Sequence, residues 1–480
     1  MTNFTANSKV IETLMRKRVE KDSLGTREIP ADVYYGIQTD RAIENFPISG
    51  LRAHPRFIEA FVILKKACAL ANRDAKVLDA RMGKAIVRAC DEVLSGKLQD
   101  QFVVDVYQMG AGTSFNMNVN EVLANRANEI LGGKKGVYQP VHPNDHVNMC
   151  QSTNDTFPTA MRLAGSFLLR DHFHPELDSL ANSFFRKGKE FDGILKSART
   201  HLQDAVPIRL GQEFKAYGRA IAKGKDFLEK AGDSLLELGI GGSAAGTGLN
   251  TAKNYQTYVL KHLKRLTKLA VRPSPDLREA MQSQRPVAEV SAALRNLALE
   301  VTRIANDIRL LGSGPTTGFA EIDFPAVAPG SSIMPGKVNP SILEMTNMVC
   351  FQVIGCDTTI ALAVQAGQLE LNVMMPVMVF NLLFAIHIFG NALRQLRLKC
   401  VDGIKANQER CLKYAHSSLG LGTILNAYIG YSKAAEVVKE ALRSGRTIID
   451  VIREKKILSE DELKAVLNAR KLSEPGIPGK

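Results

Sequence analysis

A chain of 480 residues can bury a large core and divide into two or three domains. Its 45% hydrophobic and 23% charged content is ordinary for a soluble globular protein, and with no tryptophan the core must rest on aliphatics and methionine. The net charge of +13 raises the question of nucleic acid, but Lys and Arg are interspersed with acids, and the most basic run, 15–21 (MRKRVEK), is diluted by Glu12, Glu20 and Asp22. No nucleic-acid partner is expected, and a diffuse positive field suits capture of a small anion equally well.

In chain order, the opening MTNFTANSKVIETL lacks the charged start, apolar stretch and cleavage site of a secretory signal, so a cytoplasmic protein is expected. Residues 1–155 read as a mixed, mostly helical domain with turns at 24–27 and 143–145. Residues 156–400 are dominated by helical periodicity, with helices expected over 156–188, 211–238, 255–271, 286–311, 341–367 and 376–399. Long helices with Gly/Pro/Ser/Thr-rich joints read as a central helix bundle with motif-bearing loops at its ends. Residues 401–480 turn polar and basic and form a small helical domain. Two stretches, 347–367 and 374–393, are almost free of charge at about the length that spans a bilayer. Pro376, Asn381, His387 and Asn391 interrupt the second, and neither has topogenic basic flanks. No membrane contact is expected; helices apolar all round fit the centre of an oligomer. Seven single cysteines, with no CxxC pair, read as buried thiols in a reducing compartment.

Four loops concentrate small polar residues: 110–120 (GAGTSFNMNVN), 151–158 (QSTNDTFP), 199–207 (RTHLQDAVP) and 330–340 (GSSIMPGKVNP). Taken singly, their Ser, Thr and Asn are good helix N-caps. Taken together, with one lysine, they suit a small carboxylate, because helix N-termini bearing hydroxyls and amides are ready anion sites. The run 239–244 (GIGGSA) fits GxGxxA, but a helical pattern precedes it where a dinucleotide fold needs a strand. GxSxG, HExxH and Cys/His clusters at zinc spacing are absent, so no metal or other cofactor is expected.

GSSIMPGKVNP resembles the signature of the aspartase/fumarase superfamily, which eliminates ammonia, water or an amine from succinyl compounds. Blocks at 24–46, 110–127, 142–160, 199–214 and 367–373 resemble the family in the same order. The resemblance implies a mainly α, three-domain aspartase/fumarase-like fold. Its long central bundle tetramerises into a shared helical core, with active sites shared between subunits. GTSFNMN, LQDAVP and GQLELNV lean toward the aspartase branch. The implied reaction is removal of ammonia from L-aspartate, a small dicarboxylate, to give fumarate through an aci-carboxylate. Hydration chemistry on L-malate, or another amino-acid or amine elimination, is the alternative. The resemblance carries residue roles with it. Ser331 is the base. Lys337 and Asn339 hold the α-carboxylate, and Thr113, Ser152, Thr153 and Ser332 grip the β-carboxylate. Asn154, Thr200 and His201 bind the departing amino group, and Glu344 orients and charges His201. Met109, Thr316 and Met375 depart from the aspartase pattern, which bears on substrate range or effector response and not on the reaction.

Overall fold

The computed structural model describes residues 16–477 and is mostly helical, with four two-stranded sheets among the described residues. The stretch read for a secretory signal, 1–14, lies outside the described residues. The long helices fall close to their expected places, at Thr153–Leu168, His174–Glu190, Leu210–Asp233, Tyr255–Thr267, Arg285–Leu311, Ser341–Gln365 and Met375–Lys399. The expected single helix over 156–188 is divided by a π-helical turn at Leu169–Phe173. The helix expected to reach 238 ends at Asp233, because Glu237–Leu238 straightens to pair in parallel with Arg272–Pro273.

The chain forms two compact units, and four of their five boundaries fall within long helices. One comprises Met1–Phe173, Phe227–Arg295 and Gln352–Ile388; the other comprises His174–Asp226, Asn296–Phe351 and Phe389–Lys480. In the first, helix Pro55–Asp74 is the hub, packing against Ala80–Leu94, Thr153–Leu168 and Tyr255–Thr267. Its start is well made. Pro55 occupies the first position, where a missing N–H costs nothing, and His54 Nδ1 accepts from Arg56 N at 3.1 Å. Phe57 and Phe61 on this helix meet Phe115 and Phe157 with ring centroids 5.0–6.1 Å apart. Helix Thr113–Ile130 is buried nearly all round although it carries five buried asparagines. Each of these is engaged by neighbouring backbone or amide groups: Asn118 bonds Val103 N and Gln101 O, and Asn128 bonds Val141 through both of its atoms. A polar helix can sit in a core when its amides find such partners.

In the second unit the hairpin Leu195–Thr200/Gln203–Arg209 packs against helix Gln408–Ser417. A buried charge network backs the hairpin. Lys196 Nζ lies 2.8 Å from Glu213 and 3.0 Å from Glu321, and Arg199 lies 2.9 Å from the other Glu321 oxygen. A separate apolar cluster, including Leu421, Leu425, Val437, Ile448, Val451 and Leu463, forms the core of the C-terminal helices.

Ser341–Gln365 and Met375–Gly403 are long and apolar enough to cross a membrane by length and composition. Only 33% of the most apolar window of Ser341–Gln365 is buried within the chain, and Met348, Phe351 and Leu362 on it are 63%, 58% and 58% exposed.

Candidate active site

Thr113, Ser152, Thr153 and Asn154 lie in the first unit, on two helix starts. Thr113 opens helix Thr113–Ile130, after a tight turn at Gly110–Gly112 pinned by Ala111 N donating to Val373 O at 2.7 Å. Thr113 faces a cavity of about 430 Å³, whose wall also includes Met109, Lys21, Arg41, His142 and Asn144. Ser152 is the N-cap of Thr153–Leu168, and its Oγ accepts from Asn154 N at 3.2 Å. The capping role thus holds for Ser152, while its hydroxyl hydrogen remains a donor. Asn154 Nδ2 donates to Ala244 O at 2.8 Å, and Oδ1 makes no hydrogen bond among the described residues. An asparagine oriented this way offers an acceptor, which suits an ammonium and not a carboxylate.

The approach to Ser152 is held from beneath by groups the sequence reading did not single out. Lys65 is fully buried, and its Nζ donates to Asn148 Oδ1 at 3.0 Å and Gln151 Oε1 at 2.9 Å. Asn116 and Asn120 donate to the same Asn148 oxygen, each at 3.2 Å. Burial pulls the Lys65 ammonium down to about 8. A charge inside the apolar run FVILKKACAL was the one signal in the sequence that could have marked it. Glu121 is likewise buried and pushed up to about 7 by desolvation, although Gly36 N, Gln38 N and Thr39 N donate to it. It closes the start of helix Ile37–Asn45.

The remaining residues lie in the second unit. Thr200 ends one strand of the hairpin and pairs with Gln203, leaving His201 and Leu202 as the two-residue turn. Both have positive φ, 55° and 59°, a turn that Asn-Gly would make without strain. His201 is therefore held out at a strained hairpin tip, exposed and without a hydrogen bond among the described residues. Strain of this kind at a polar tip is motive for a functional reading.

Residues 324–340 carry neither helix nor strand. Within them Ser331 Oγ accepts from Ile333 N at 3.3 Å and Met334 N at 3.1 Å. Two N–H dipoles aimed at one oxygen favour negative charge there. Asn339 Nδ2 donates to Gly330 O, closing the loop across its base. Ser332 and Lys337 are exposed, and Lys337 makes no ion pair among the described residues. Glu344 stands in the first turn of Ser341–Gln365 and lies 3.7 Å from Arg309; among the described residues no hydrogen bond joins it to His201.

The glycine run at 239–244 follows the two-residue strand Glu237–Leu238, and no helix opens until Tyr255. A dinucleotide cradle needs a helix N-terminus at that point, so this reading is removed.

Comparison with known proteins gives a consistent result. A family model described as lyase matches residues 25–355, and one described as fumarase C C-terminus matches residues 421–474. The chain is 50% identical to an aspartate ammonia-lyase of Bacillus subtilis (strain 168), over 96% of this chain and 97% of that protein. A crystal structure described as fumarate lyase:delta crystallin from Brucella melitensis, bound to cobalt, superimposes with a TM-score of 0.93. That protein is 45% identical, and the match covers 96% of this chain and 100% of that one. A class II fumarase from Schistosoma mansoni gives a TM-score of 0.91 at 35% identity, covering 95% of this chain and 98% of that one.

Proposed function

Because the chain belongs to the lyase family whose model it matches, we propose that it is an aspartate ammonia-lyase, forming fumarate and ammonia from L-aspartate. The observation that carries the reading is Ser331: its Oγ accepts two backbone N–H bonds on an irregular segment that also bears Lys337 and Asn339.

The reaction sets the demands. Taking a proton from the carbon next to the β-carboxylate leaves a doubly charged aci-carboxylate, which needs donors aimed at the developing charge. Ser331 takes that proton as an alkoxide, a species the Ile333 and Met334 N–H groups favour. Thr113, Ser152, Thr153 and Ser332 hold the β-carboxylate as its charge grows. Lys337 supplies a charged partner for the α-carboxylate, with Asn339 beside it. The electron pair of the broken C–H bond then forms the double bond as the C–N bond breaks. The amino group leaves towards Asn154, Thr200 and His201, and the free Asn154 Oδ1 suits it.

These groups belong to different regions of one chain, and the reading includes a homotetramer that brings them together from several copies, in the cytoplasm. The exposed Met348, Phe351 and Leu362 on an apolar helix support burial between copies over contact with lipid. Pairing of Glu344 with His201 is part of the same reading and belongs to the assembled enzyme. The test is ultraviolet detection of fumarate on adding L-aspartate, with L-malate in parallel. Fumarate from L-aspartate is expected; fumarate from L-malate alone overturns the choice in favour of a hydratase.

A further inference from the structure

Asp155 follows directly on Ser152, Thr153 and Asn154, yet no step above uses it. It is completely buried. Its Oδ1 accepts from Ser152 N at 3.0 Å, which closes the capping box. Its Oδ2 accepts from Gly241 N at 3.1 Å and Ser243 N at 3.0 Å, both in the glycine-rich run that has no dinucleotide role. Asn154 Nδ2, donating to Ala244 O, is a second tie between the same two segments. One carboxylate thus receives three backbone N–H groups from two stretches of chain more than 80 residues apart, with separations of 86 and 88 to the glycine run.

We infer that Asp155 is a positioning residue which, in its ionised form, locks the helix start bearing Ser152, Thr153 and Asn154 onto the glycine-rich segment and so sets the geometry of the β-carboxylate grip. This rests on the aspartate ammonia-lyase reading. The physical reason is the donor count. An ionised carboxylate accepts all three N–H groups at charge-assisted strength, whereas protonation removes one acceptor position and leaves the hydroxyl oxygen a weak acceptor. Cutting one such bond leaves a buried N–H without an acceptor, and the segment it held moves to find one.

The surroundings make the switch accessible. Lys65 and Cys68 act on Asp155 from helix Pro55–Asp74, Tyr255 from helix Tyr255–Thr267, and Cys150 from the preceding loop. Burial pushes the carboxyl up to about 6, against the three N–H bonds and the Lys65 charge, which act the other way. The unfolded value is lower, so protonation in the folded enzyme sets in as pH falls through about 6.

Asp155→Asn, in the full-length assembled enzyme, tests this with L-aspartate as substrate and succinate as a non-reacting dicarboxylate. KM for L-aspartate and the succinate inhibition constant are expected to rise together, about ten- to a hundredfold, with a smaller fall in kcat, as a lost buried charge-assisted bond predicts. The wild-type kcat/KM is expected to fall as pH drops through about 6, and that limb should be absent from the variant. A folded variant with wild-type KM, inhibition constant and acid limb overturns the inference. If the variant does not fold, a wild-type profile that stays flat through pH 6 overturns it instead, and a limb near 6 sustains it. Failure of the wild type to make fumarate from L-aspartate is a separate result and strikes the underlying reading.

Discussion

The helix start at Ser152–Asp155 and the serine loop around Ser331 carry the same kind of residue and are built in opposite ways. At the helix start, Thr153 is 8% exposed and Asp155 0%, Asp155 and Asn154 tie it to the glycine-rich segment, and the Lys65–Asn148–Gln151 network holds the residues just before it. In the serine loop, Ile333, Met334 and Val338 are 83%, 48% and 47% exposed, and a few local hydrogen bonds hold the backbone. Segments with few buried contacts open at low free-energy cost, whereas buried, doubly tied segments move only with the core. The difference teaches a division of labour. The grip on the charge that develops must be preorganised, since donors that reorganise during reaction lose most of their effect. The base must reach the carbon and then admit new substrate, so it sits on a segment that can open.

The strongest test of this division is Ser331→Ala. Turnover should fall by on the order of a thousandfold or more, because base and positioned oxygen are lost together. The melting temperature should be unchanged, because the hydroxyl serves only its own exposed loop. Near-normal turnover would remove Ser331 as the base. Next is Lys337→Ala, where loss of a charge-assisted contact to the α-carboxylate should cost about 2–3 kcal/mol, read as a higher KM and weaker succinate inhibition. Unchanged constants would mean that the exposed lysine is only a solvated charge.

Lys65→Met attacks the other region. Gln151 Oε1 would lose its donor and Asn148 Oδ1 one of three, so about 1–3 kcal/mol of stability should go at pH 7, measured by urea unfolding. The pH dependence has a definite sign. Burial lowers the folded Lys65 from its usual 10.5 to about 8, so between those values the unfolded chain binds more protons. Wild type should therefore gain stability over Lys65→Met as pH rises from about 8 to 10.5. A difference that stays constant across that window would show that the ammonium carries no burial cost.

The two regions were also unequally legible in the sequence. Helix periodicity located Arg285–Leu311 and Met375–Lys399 to within a residue, because an uninterrupted 3.6 repeat is strong evidence. The Ser331 loop was legible from its Gly/Pro punctuation and from its family resemblance. The hairpin at 195–209 was not, since its turn is His201–Leu202 where a hairpin signal would be Asn-Gly or Asp-Gly. Nor was the π-helical turn at Leu169–Phe173: LRDHF itself has no breaker, and Pro175, which lacks the N–H to bond back into the turn, stands two residues further on. Lys65 and Asp155 escaped for a third reason. Their meaning lies in partners 83 to 88 residues away, and no local pattern announces a contact of that range.

The smallest effect gives the cleanest comparison, because one substitution can be made in both regions. Gly112 and Gly336 have nearly the same φ, 83° and 81°, so alanine at either carries about 1 kcal/mol of left-handed strain. Their surroundings differ. A Cβ at Gly112 would lie 2.0 Å from the Phe157 ring in the aromatic core, while one at Gly336 would meet nothing within 4 Å. Gly112→Ala should therefore add about 1–3 kcal/mol of overpacking to the strain and lower the melting temperature by several degrees. Gly336→Ala should leave the melting temperature in place, because an exposed loop can absorb its strain without the core unfolding. Its cost should appear in kcat, at under tenfold, as a shift in the population of loop conformers that present Ser331. If Gly336→Ala lowered the melting temperature as much as Gly112→Ala, the serine loop would be part of the cooperative core, and base and grip would move as one body.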